Sequence, residues 1–110
     1  MITVGDLTEI NKQFSNGKAI NNGSLEFAIS LARDSKDWTK QLAYVVRAIL
    51  IDHVFEEGNK RTAAALVISL FEIHKLGYDP QKVDIVIVDI LKKNINNINK
   101  IRRMIKNATR

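Results

Sequence analysis

The chain has 110 residues, 45% of them hydrophobic and 26% charged, with a formal net charge of +5 and no cysteine. A chain of this length closes one hydrophobic core and has no room for a second, so residues 1–110 are expected to form a single folded domain. The absence of cysteine excludes a disulfide framework, a thiolate metal site and cysteine-based nucleophilic chemistry, which suits a cytoplasmic protein.

No membrane partner is expected. Met1–Ile10 carries acidic residues and no basic segment followed by an apolar stretch, so it does not read as a signal peptide. The longest apolar runs, such as Ala63–Ile68 and Ile85–Val88, fall far short of the roughly 20 residues that cross a bilayer. The positive charge is concentrated at one end: from Leu91 onward stand Lys92, Lys93, Lys100, Arg102, Arg103, Lys106 and Arg110 with no carboxylate. A basic end without an organised reading element is read as a solvated helix face, and nucleic acid is not expected as a partner.

In chain order, a first helix is predicted over about Thr3–Phe14, closed by Ser15-Asn16-Gly17. After a turn at Asn21-Asn22-Gly23, Ser24 is expected to cap a second helix whose apolar residues Leu25, Ala28, Ile29 and Ala32 share one face. A third begins near Trp38 or Thr39 and carries the stripe Leu42, Val45, Val46, Ile49, Leu50 and His53. Further apolar residues on its other sides make it central. A fourth opens at Asn59 or Lys60 and runs to Gly77. Pro80 then starts a segment whose branched run, Val83–Val88, has the propensity of a strand. The spacing of Val83, Val86, Ile87, Ile90 and Leu91, and the lack of a partner strand, predict a helix instead. A last helix over about Ile98–Asn107 places Ile98, Ile101 and Ile105 inward. The fold class is all-α, a bundle of about six helices.

Between the third and fourth helices the run His53-Val54-Phe55-Glu56-Glu57-Gly58-Asn59-Lys60-Arg61-Thr62 gathers the densest polar set in the chain. Residue by residue it reads as a solvated turn. Together the residues fit another task. A helix that starts just after Gly58-Asn59 aims unpaired N–H groups and its positive dipole end outward, where phosphate binds. Arg61 adds a guanidinium able to grip phosphate by paired hydrogen bonds, and Lys60 adds a point charge. Glu57 is suited to Mg²⁺, a hard cation that shares carboxylate and phosphate oxygens. His53 is suited to accept the proton of an incoming hydroxyl near neutral pH.

The pattern His-x-Phe-x-[Asp/Glu]-Gly-Asn-x-Arg formed by His53, Phe55, Glu57, Gly58, Asn59 and Arg61 resembles the signature of the Fic/Doc family. Asn22-Gly23-Ser24-Leu25-Glu26 also resembles the opening of the second helix in Doc-like members. The resemblance implies His53 as general base, Arg61 as a catalytic and phosphate-binding cation, and Gly58, Asn59 and Lys60 as the rest of the phosphate loop. Glu57 would be the Mg²⁺ ligand, with Phe55 and Thr62 supporting the site. Members that transfer AMP carry glycine where Lys60 stands and a second arginine where Ala64 stands, whereas the Doc branch has Lys-Arg-Thr as in Lys60-Arg61-Thr62. Val54 replaces a proline found in many members, at a peripheral position.

The resemblance therefore implies a Doc-like toxin that transfers a phosphoryl group from ATP, with Mg²⁺, to a hydroxyl of a protein in translation. AMP transfer and a non-catalytic phosphate-binding module are the alternatives. A flap that aligns the target as an added strand is expected at Arg33–Asp37. The self-inhibiting motif of the family is absent from both terminal segments, which implies restraint in trans by an antitoxin. Outside the loop, His74 is read as structural and Trp38 as the pin of the third helix. Arg47 is read either as support for the site or as half of a surface salt bridge.

Overall fold

Helices form where the sequence supplies a polar start, a periodic apolar face and a stop. In the computed structural model, which describes residues 2–110, these are α1 (Val4–Lys12), α2 (Asn22–Arg33), α3 (Trp38–Leu50), α4 (Asn59–Ile73), α5 (Pro80–Lys92) and α6 (Ile98–Lys106). Among the described residues there are no strands, only isolated backbone bridges at Ala19–Phe55 and Tyr78–Thr109. The all-α expectation holds, and no helix is long and apolar enough to cross a membrane among the described residues.

Five of the six helices begin on a side chain that accepts an N–H of the first turn: Thr3, Asn21, Asp37, Asp79 and Asn97. At α1 this becomes a capping box, Thr3 accepting from Asp6 N and Asp6 accepting from Thr3 N. The cap of α2 is Asn21, not the expected Ser24. Asn21 Oδ1 accepts from Ser24 N, so Asn22-Gly23 is drawn into the first helical turn instead of forming a separate bend. The sixth helix, α4, is the exception. It begins at Gly58 with no side-chain cap.

Two helices stop on left-handed residues that are not glycine. After α4, Lys75 sits at φ +58, with Leu76 N bonded to Phe71 O and Lys75 N to Glu72 O. That pairing ends the helix before the expected Gly77, because it satisfies the last carbonyls. After α5, Asn94 at φ +49 makes the same arrangement, Ile95 N reaching Ile90 O. The branched segment expected to be helical is helical, burying Val83, Ile87 and Ile90 on one face.

α3 lies at the centre. Leu42, Ala43, Val45, Val46, Ala48, Ile49 and Leu50 are all buried, and α2, α4 and α6 pack around them. Trp38 does pin its start: the indole stacks on His74 at 4.0 Å and meets Phe71 edge-on at 6.5 Å, tying α3 to the end of α4. Among the described residues Arg47 stands in no salt bridge. Its guanidinium donates to Asn96 O at 3.2 Å and lies 5.5 Å from the Tyr44 ring centre, joining α3 to the linker before α6.

Asp37 connects the two ends of this packing. Its carboxylate caps α3 through Thr39 N at 2.9 Å and pairs with Arg102 of α6 at 2.7 Å. The Thr39 hydroxyl, donating at 2.6 Å, is the main cause that holds the Asp37 carboxyl below the ordinary aspartate range. Burial opposes it, and Thr39 N–H and Arg102 assist. A depressed pKa contributes stability that is present above the unfolded value and disappears as pH falls through the folded one. Asp37→Ala is expected to cost about 1–2 kcal/mol near neutral pH, chiefly through the lost cap. The difference in urea midpoint between variant and unaltered chain should narrow on acidification below the aspartate range.

Candidate active site

The segment from Ile51 to Gly58 leaves the end of α3 and enters α4, and its shape is set by two asparagines. Asn59 is buried, and its side chain returns to the loop twice: Nδ2 donates to Phe55 O at 2.9 Å and Oδ1 accepts from Phe55 N at 3.0 Å. Its amide is thereby committed to the loop, and what Asn59 offers a ligand is its backbone N–H. Asn11, fully buried at the end of α1, donates to Glu57 O at 2.9 Å and to Thr62 Oγ1 at 3.0 Å, and accepts from Gly17 N at 2.9 Å. One side chain thus holds the loop, the first turn of α4 and the turn after α1 together.

The extended run from Lys18 to Asn21 closes the other side. Ile20 N and Asn21 N donate to Val54 O, Glu56 N donates to Lys18 O, and Asn21 Nδ2 donates to Asp52 O at 3.0 Å. Val54 and Phe55 are buried beneath, so the loop is anchored into the core. Thr62 is likewise buried, and its hydroxyl accepts from Asn11.

This scaffold projects the polar groups outward. His53, Glu56, Glu57, Lys60 and Arg61 are exposed. His53 lies past the end of α3, at φ +54, rather than completing the helical stripe in which its spacing placed it. A non-glycine residue in that region is strained and is held there by the bonds on either side of it. Gly58, at φ +76, is required twice over. Its backbone is left-handed, and a Cβ there would stand 3.2 Å from Asn11 Nδ2 and 3.4 Å from Ser15 Cβ.

Three adjoining depressions surround the start of α4. One of about 260 Å³ is lined by His53, Glu56, Glu57, Gly58, Asn59 and Lys60, with Leu50 and Leu91 at its apolar side. A second, about 280 Å³, is lined by Glu57 through Arg61 and by Phe14. A groove of about 410 Å³ between α4 and α5 continues from Lys60 and Arg61 past Ala64 and Ile68 to Asp84 and Val88. The residues singled out in the sequence are therefore brought together. Phe14, Leu91 and Asn11 join them without a signal in the sequence, since each becomes a neighbour only through packing.

The electrostatics of the opening favour an anion. With no side-chain cap on α4, the N–H groups of its first turn and the dipole end face the depressions. Lys60 and Arg61 stand in no ion pair among the described residues, so their charge is uncommitted. Glu56 pairs with Lys18 at 3.8 Å, whereas Glu57 stands in no ion pair among the described residues; Glu57 lines both smaller depressions and Glu56 one of them. No cluster of three or more metal-ligating side chains occurs among the described residues. The Glu57 carboxylate, at the uncapped start of α4, is a donor of the kind Mg²⁺ takes, since that ion draws one or two oxygens from protein and the rest from phosphate and water.

The segment in which a flap was expected is not beside the loop. Arg33–Asp37 precedes α3, whose 13 residues set it about 20 Å from the loop at the other end of that helix. The extended segment beside the loop is Lys18–Asn21. No family model matches the chain, and comparison with curated proteins and with solved structures likewise gives no match.

Proposed function

We propose that the chain is a Doc-like phosphotransferase that moves the γ-phosphoryl group of ATP to a hydroxyl of a target protein. The observation that carries this is one cavity lined by a histidine, a lysine and two glutamates, of which Glu57 stands in no ion pair among the described residues, at the uncapped start of α4. His53 takes the proton of the hydroxyl as its oxygen attacks the γ-phosphorus. The bond from that phosphorus to the bridging oxygen breaks, and the nucleoside diphosphate leaves with the electron pair. Arg61, Lys60 and the first N–H groups of α4 hold the oxygens on which charge gathers. Mg²⁺, reached through Glu57, would supply charge neutralisation on the phosphates.

Lys60 favours phosphoryl over AMP transfer on the family resemblance, since its bulk and charge stand where AMP-transferring members have a wrapped backbone. The target segment is taken to lie along the Lys18–Ile20 run beside the loop. A toxin aimed at the translation machinery, restrained by an antitoxin, is the setting the resemblance implies. To test it, the purified chain is incubated with a cell lysate and ATP labelled at the γ or the α position. A protein labelled from γ alone is the expected result. Label from α would indicate AMP transfer, and no label from either would leave a phosphate-binding module.

A further inference from the structure

We infer that the outer face of α6 is a docking surface for the phosphate backbone of duplex RNA. In the fold the basic end is not an unstructured tail. Ile101 and Ile105 are buried against the bundle, and at about 3.6 residues per turn Lys100, Arg103 and Lys106 fall on the opposite side of the helix, spread over about 9 Å. Together with Met104 and Asn107 they line a single depression of about 380 Å³. Among the described residues none of these three cations stands in an ion pair. Arg102, turned toward the bundle, is the one α6 cation that does, with Asp37.

Two further exposed cations, Lys92 and Lys93, in no ion pair among the described residues, precede α6 in the chain. They follow Leu91, which lines the cavity of His53. The linker to α6 then presents Asn94 and Asn96. Amide and ammonium groups in a row are the donors that phosphate and sugar oxygens accept from.

Three features select among polyanions. None of the large exposed hydrophobic side chains lies on α6, so the face has nothing to insert into a lipid surface. No aromatic residue occurs after Tyr78, so no ring of this last segment can stack an unpaired base, which disfavours a single strand. And α6 is packed on α3, so it offers one face of a supported helix rather than a free-standing one. That suits a partner bound by backbone and shape, which is how duplex RNA is held. Sequence-independent binding of this kind needs no reading element, so its absence from the sequence is no obstacle.

The test is fluorescence anisotropy with a labelled mixed-sequence RNA duplex over a range of salt, using the full chain and Lys100→Gln/Arg103→Gln/Lys106→Gln, whose fold is checked by circular dichroism. The variant should bind at least about tenfold more weakly at low salt, and the slope of log affinity against log salt should fall by about 2.7, or 0.9 per lost phosphate contact. A control that removes charge from α1 and α5, Lys12→Gln/Lys82→Gln, should bind as the unaltered chain does. The proposal is overturned if the unaltered chain does not bind the duplex, if the control weakens as much as the α6 variant, or if a DNA duplex of the same sequence, single-stranded RNA or acidic vesicles bind more tightly. It stands apart from the proposed transfer, since the readout is binding without nucleotide.

Discussion

Asn11→Ala should lower stability by about 2–4 kcal/mol, because it removes three hydrogen bonds at once and leaves buried groups unpaired. The cost is not that of an ordinary surface asparagine. Gly17 N–H loses its acceptor, Thr62 Oγ1 and Glu57 O lose their donor, and a fully buried amide is replaced by a methyl group that leaves a void. The effect should reach the candidate site as well, since the carbonyl of Glu57 and the first turn of α4 are positioned by this one side chain. Urea denaturation measures the first part, and transfer activity in urea-free buffer measures the second. A loss of stability under about 1 kcal/mol would mean that the buried network is not what holds the loop.

His53→Ala should reduce phosphoryl transfer by about 10²–10⁴-fold, the range for loss of a positioned general base, while leaving stability nearly unchanged. Glycine at the same position separates chemistry from folding further. His53 stands at φ +54, a conformation that costs an L residue about 1–2 kcal/mol and glycine almost nothing. After glycine's larger unfolded-state entropy is set against that relief, His53→Gly should be as stable as the unaltered chain or more stable by up to about 1 kcal/mol. It should nonetheless be as inactive as the alanine variant. A more stable, inactive protein is the signature of strain kept for function. Were His53→Gly clearly less stable, the imidazole would have a structural role instead.

What was legible in the sequence divides along the range of the interactions. The helices were readable because their causes are local. Val83, Ile87 and Ile90 repeat at helical spacing despite their strand-like branching, and Asp37 and Asp79 sit where caps belong. The loop was readable as a set of residue types. Its geometry was not. His53 continued the apolar stripe of α3 in spacing, yet the helix stops at Leu50, and bonds from Asn21 and Asn59 fix the chain on either side of the histidine.

Asn11 gave no signal because the groups it holds, Glu57 and Thr62, lie 46 and 51 residues away. The separation of Arg33–Asp37 from the loop was hidden for a similar reason. Arg33–Asp37 is near the third helix in sequence, but it meets the end of that helix opposite the loop, while Lys18–Asn21 reaches the loop through backbone pairing. The side chain of Asn59 shows the same limit in reverse. The pattern marks it as important, and the fold shows its amide spent on Phe55.

The start of α4 is proposed to hold the phosphates of a nucleotide with His53 at hand. Titration of ¹⁵N-labelled protein with ATP and Mg²⁺, followed by backbone amide resonances, tests it residue by residue. The largest shifts should fall on Gly58, Asn59, Lys60 and Arg61, with His53 and Glu57 responding and the helices remote from the loop unmoved. Arg61→Ala should weaken the response without relocating it. Shifts that map instead to α6, or to the Trp38–His74 end of the bundle, or no shifts at all, would contradict the assignment.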